Sequence, residues 1–271
     1  FGDNVKTRNS IILSHFNSNA KKNIAVTKFI RWNSRIRNRL FDNITYQTID
    51  DFACDQYLPK ISTISELDTL NSLKSTKNKL KHFINPLPLF ERDKDGRCLY
   101  FYSTAYNWLP VFKEPPNLYS QTALKQANNS NKIQLSDANT DLLYAILNSR
   151  LVYWLWLVVG DGFHLTQSFI YEIPINPKSF SSSSLKALTR LGKKLWNKAK
   201  KYPIVKTNRG IKVNNFNMFR CAKIIEEIDK VIISELDIAP EFNKFLKNRY
   251  LEHVSAGRNN YRNKEYLEVT N

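Results

Sequence analysis

Asp141-Leu142-Leu143-Tyr144-Ala145-Ile146-Leu147-Asn148-Ser149-Arg150-Leu151-Val152-Tyr153-Trp154-Leu155-Trp156-Leu157-Val158-Val159-Gly160 is the stretch on which the reading of this chain turns. Its apolar residues recur at helical spacing, which predicts one long helix capped by Asp137 and ended by Gly160. Leu151 to Val159 is the most apolar run, at nine residues. A membrane span needs about 20, so the run is expected to be core, with no membrane partner.

On the N-terminal side, ring-rich residues 99–111 alternate well enough for a strand pair or a short β segment. Residues 125–134 are polar and loop-like. Thr63 to Phe83 reads as a helix with Leu67, Leu70, Leu73 and Leu80 on one side, and residues 5–14 read as a buried strand. On the C-terminal side, Ile173-Pro174-Ile175-Asn176-Pro177 excludes helix. Beyond it, three amphipathic helices are predicted: Leu185 to about Lys201, about Phe216 to Leu236, and one beginning after Pro240. The fold class expected is α+β, a mixed α/β recognition region followed by a helical C-terminal tail. The expected divisions are 1–40, 41–177 and 178–271.

Lys and Arg outnumber Asp and Glu 41 to 24, for a net charge of +17. Such a surplus is self-repelling, and a polyanionic partner is the usual reason to keep it. Residues 185–212 hold ten basic residues and not one acid. On a helix, Lys186, Arg190, Lys193, Lys194, Lys198 and Lys201 form a cationic ridge suited to a phosphate backbone. An earlier run, Arg31-Trp32-Asn33-Ser34-Arg35-Ile36-Arg37-Asn38-Arg39, sets four arginines among Trp and Asn, residue types that read base edges. Double-stranded DNA is therefore the expected partner.

Other chemistries find less support. Three Cys without CxxC spacing and four scattered His offer no metal motif, and the cysteine usage fits a cytoplasmic location. The chain opens on Phe1-Gly2-Asp3, without an initiator Met or a secretory signal, which reads as a fragment of a longer protein. Asp161 and His164 form a possible acid–base pair, yet no nucleophile has a recognisable setting beside them, so no catalytic residue is assigned. A Mg-dependent nuclease using the acidic stretch 50–68 is the alternative reading. An RNA-binding protein, with the 100–108 rings exposed for stacking, is another.

The block Asp141 to Leu151, continuing through Trp154, Gly160-Asp161-Gly162-Phe163-His164-Leu165-Thr166 and Ile173-Pro174-Ile175, resembles a family. What it resembles is the C-terminal part of N6-adenine DNA methyltransferases of restriction–modification systems, in the single-chain type II group. Residues 1–11 resemble the last strand region of the methylase domain, and Ile225 to Tyr250 resemble the closing helices. The catalytic Asn/Asp-Pro-Pro-aromatic motif is missing: Glu114-Pro115-Pro116-Asn117 and Asn85-Pro86-Leu87-Pro88 do not fit it. The glycine-rich S-adenosylmethionine cradle is missing as well. The resemblance thus implies a target-recognition region with no cofactor of its own. The methylase domain of the same parent would hold S-adenosylmethionine and receive the flipped adenine. Gly160, Asp161, Gly162, Phe163 and His164 would be a recognition loop. In it, Gly160 is expected in the left-handed conformation, Phe163 plugged into the core, and Asp161 and His164 on the rim.

Overall fold

The structure, a computed structural model, describes residues 24–31, 37–39, 41–42, 44–49, 57–84, 98–105, 107–114, 117–120, 124–126, 130–135, 140–208 and 211–256. The fold is α+β, with eight α-helices and three small antiparallel sheets among the described residues. The expected strand at 5–14, the Asp137 cap and the methylase-like residues 1–11 lie outside the described residues.

The apolar stretch is two helices rather than one, α3 (Thr140–Leu147) and α4 (Arg150–Val159), bent by 55°. Asn148 and Ser149 make the break. The Ser149 hydroxyl donates to Ile146 O at 2.7 Å and accepts from Val152 N at 3.2 Å, so one side chain ends α3 and caps α4. Asn148 donates to Tyr144 O at 3.0 Å and accepts from Trp108 Nε1 at 2.9 Å. Short polar side chains that compete for backbone partners break a helix in this way. Among the described residues no single helix is long and apolar enough to cross a membrane; α3 and α4 together pass on length and composition, and both are buried in protein.

Helices surround this pair. After the short α5 (Gln167–Glu172), α6 (Ser182–Ala199) buries Leu188, Leu191, Leu195 and Ala199, as their spacing predicts. Gly192 lies so near α3 that an added Cβ would stand 1.9 Å from Asp141 O. Next come α7 (Ala222–Glu235) and α8 (Glu241–Ala256), the latter seating Phe242, Leu246 and Tyr250 in the core. An ion pair, Arg150 with Asp229, is buried between α4 and α7. Asp229 Oδ1 accepts from the Arg150 amide at 2.8 Å, and Oδ2 lies 3.3 Å from the guanidinium. Burial pushes the Asp229 carboxyl up to about 7, against the Arg150 charge and the amides of Arg150 and Leu151.

The helix expected over 63–83 is interrupted. α1 (Ile64–Ser75) stops at Thr76, and a one-turn α2 (Lys81–Ile84) follows. Between them Leu80 docks separately, its amide on Ile173 O at 2.8 Å. Glu66 at the start of α1 is buried, accepting from Ser62 N at 2.8 Å and from Trp154 Nε1 at 2.9 Å.

Three antiparallel sheets complete the fold. β1 (Ile24–Thr27) pairs with β2 (Tyr46–Ile49). β3 (Cys98–Tyr102) is flanked by β4 (Val111–Phe112) and by β7 (Ser130–Gln134), giving the strand pair expected at 99–111. The third sheet runs in the order β6 (Leu124–Gln126), β5 (Asn117–Ser120), β9 (Ile211–Phe216), β8 (Pro203–Asn208). Two expectations are corrected here. Residues 125–134 are not loop throughout: β7 is an edge strand whose exposed Asn131 and Lys132 hide the buried Ile133 and Leu135. Nor is the stretch after 177 helical throughout. It holds the β8–β9 hairpin, and β9 pairs with β5. Ile204, Val205, Thr207, Ile211 and Val213 around Asn208-Arg209-Gly210 carried that signal.

Candidate nucleic-acid interface

The outer face of α6 carries the predicted ridge. Lys186, Arg190, Lys193, Lys194 and Lys201 are exposed, whereas Lys198 is half-buried. Lys198 stands near Cys221, whose thiol burial pushes up to about 11 against that positive charge. The acids missing from the local sequence come in part from elsewhere. Lys194 Nζ lies 4.0 Å from Glu227 of α7, and Lys200 Nζ lies 3.3 Å from Glu114, over the Trp196 ring. Among the described residues, Lys186, Arg190, Lys193 and Lys201 have no ion pair. At 1.5 Å per residue Lys186, Arg190 and Lys193 span about 10 Å of α6, and Lys201 follows just past its end.

The arginine run divides. Arg31 is half-buried and donates to Asn107 Oδ1 at 2.6 Å, so it is engaged with protein. Arg37–Arg39 form a single 3-10 turn on which Arg39 is exposed. Arg35 and the Arg37 side chain lie outside the described residues. The ring-rich segment supplies core: Phe101 is buried, and Tyr100 and Tyr102 are half-buried. Trp108 stacks on Tyr153 at 5.3 Å between centroids and meets Tyr250 edge-on. Tyr106 lies outside the described residues.

The loop after α4 differs from expectation at two residues. Gly160 is extended (φ −81°, ψ 177°), and glycine is required there because a Cβ would stand 2.5 Å from Trp156 O. The left-handed residue is Gly162, at φ +71°, where a Cβ would meet the Phe29 ring at 2.6 Å. Phe163 is only half-buried. Leu165 fills the core in its place. Asp161 and His164 stand on the rim, each about half exposed (51% and 55%).

Asp161 organises this loop. Its Oδ1 accepts from the amides of Phe163 at 2.8 Å and His164 at 2.6 Å, while Oδ2 meets His164 Nδ1. Desolvation alone would raise the Asp161 carboxyl; the His164 amide and imidazole and the Phe163 amide outweigh it and hold the group below its ordinary value. Lys60, not expected from sequence, closes the end of α4 by donating to Gly160 O at 2.6 Å and Val158 O at 3.3 Å. Burial pushes its ammonium down, opposed by the Asp161 charge. Thr104, also unforeseen, lies directly across from His164 in an antiparallel bridge.

Of the acidic stretch, Glu66 is committed to the start of α1, and Asp50, Asp51 and Asp55 lie outside the described residues. Among the described residues, no three His, Cys, Asp or Glu side chains gather into a metal-sized group. Comparison with protein-family models, curated proteins and solved structures gives no match.

Proposed function

We propose that this chain is the DNA-recognition module of a restriction–modification adenine-N6 methyltransferase. The observation that carries the reading is the row Lys186, Arg190, Lys193 and Lys201, three exposed cations on α6 and a fourth just past its end, with no ion pair among the described residues. Unmatched charge on a rigid rod releases counterions when it meets phosphates, and each contact adds about 0.9 to the salt slope. The resemblance over residues 141–175 supplies the family. The partner domain is then the methylase part of the same parent, which binds S-adenosylmethionine and accepts the flipped base.

The test is fluorescence anisotropy with a mixed-sequence DNA duplex across a salt series. Binding is expected to weaken steeply with salt, and changing the four residues to Glu removes most of it. If that variant binds like the parent, α6 is a solvated face and the reading fails at its main support. Calorimetry is the second check, because micromolar S-adenosylmethionine binding by this chain would contradict the assignment of the cofactor to another domain.

A further inference from the structure

The chain leaving β3 and the loop after α4 run antiparallel for three residues. Ala105 N donates to Phe163 O at 2.8 Å and Leu165 N donates to Ser103 O at 2.8 Å. These two bonds flank the Thr104–His164 pair instead of joining it. Such a pair has its Cα atoms about 4.5 Å apart and its side chains adjacent on the same face. Both residues are exposed. A third bond, Trp156 Nε1 to His164 O at 2.8 Å, fixes the same backbone from below.

The loop is therefore fastened to its neighbours through its main chain, and among the described residues the His164 side chain bonds only within the loop, to Asp161. It is nonetheless oriented. Asp161 takes Nδ1, the Phe163 ring lies edge-on at 4.7 Å between centroids, and among the described residues Nε2 has no partner. Fixing one ring nitrogen with a carboxylate settles what the other can offer: an acceptor when the imidazole is neutral, a donor when it is charged. No hydrogen bond joins the Thr104 hydroxyl to the imidazole among the described residues, so the hydroxyl is not activated as a nucleophile.

We propose that the Thr104 hydroxyl and His164 Nε2 form a two-donor clip for one phosphate of a nucleic-acid backbone, with the imidazole bound as imidazolium. The clip rests on the nucleic-acid reading given above and adds a second contact point apart from α6. The charged group against the imidazole is Asp161 on its own loop, while Lys60, from the segment before α1, donates to the Gly160 and Val158 carbonyls. Ser103 and Thr104 of the facing strand, Trp156 of α4 and the Phe29 ring are uncharged. Protonating His164 thus offsets the Asp161 carboxylate beside it, removing the negative charge that would repel a phosphate.

The experiment compares duplex-DNA affinity at about pH 6 and about pH 8 for the parent, His164→Gln and Thr104→Val. The parent is expected to bind about tenfold tighter at the lower pH, as for one hydrogen bond to a charged group. His164→Gln abolishes most of that ratio and lowers the salt slope by about 0.9 at the lower pH only. Thr104→Val weakens binding several-fold at the lower pH, and it reads the same clip if Gln at 164 loosens the loop. A parent that binds through α6 with equal affinity at both pH values overturns the clip and spares the recognition reading. So does a His164→Gln variant that keeps the parent's ratio. A parent that binds no duplex at low salt at either pH overturns both.

Discussion

The α3–α4 pair and α6 touch at Gly192, yet they spend their sequences in opposite ways. Every residue of α4 from Arg150 to Val158 is buried, including an arginine. α6 buries six of its 18 residues and presents cations on the rest of its outer face. The first helix pair is where the fold can be broken; the second is where charge can be changed without breaking it. Stability and proposed function are thus held by neighbouring helices that share one line of contact.

The strongest way to break the contrast is at Asp229. Asp229→Ala strips Arg150 of its carboxylate and exposes the first amide of α4 to an apolar interior. At about pH 8 this is expected to cost about 3–5 kcal/mol in urea unfolding, as for other halved buried pairs. The same residue gives a pH signature. Its folded pKa is raised, so the native state keeps a proton that the unfolded chain has lost. Its contribution to stability is full below about 4 and fades as pH rises through about 7. Asp229→Asn, which cannot titrate, is expected to flatten that part of the stability profile.

Gly192→Ala comes next. On an exposed helix face the change would gain up to about 1 kcal/mol in helix propensity. Here the new methyl meets a backbone carbonyl, so a loss of about 1–3 kcal/mol is expected. The sign of the change in thermal midpoint decides whether α6 is seated as closely as described. Ser149→Ala is smaller, about 1 kcal/mol for a lost cap, with the helix content falling at the α3–α4 break. The least effect belongs to the ridge. Replacing Lys186, Arg190, Lys193 and Lys201 by Ala should move stability by no more than about 0.5 kcal/mol each, while DNA affinity drops. A large stability loss there would erase the contrast between the two helices.

Sequence periodicity marked the late helices because each has a clean apolar stripe, as with Leu188, Leu191 and Leu195. It missed the break at Asn148-Ser149, since apolar residues continue on both sides and only the side-chain competition for Ile146 O and Tyr144 O reveals it. The β8–β9 hairpin was hidden by its own lysines, which drew the reading toward charge rather than alternation. At the candidate interface, the ridge was legible because consecutive turns of one helix carry it. The Thr104–His164 pairing was not, because it joins residues sixty positions apart through backbone bonds that leave no local pattern. Arg31 shows the opposite failure: its surroundings looked free in sequence and are occupied by Asn107.

The pairing of β5 with β9 also sets a timetable for the chain as it is made. Ser120 must wait until Ile211 has been synthesised before its neighbour exists. At cellular elongation rates of about 5–20 residues per second, that is an interval of roughly 5–20 s. Throughout it the β5–β6 hairpin presents an open edge on the ribosome, able to pair with any other extended segment. An arm of this kind is where a chaperone would first engage the nascent protein, and where crowded overexpression would first produce aggregates.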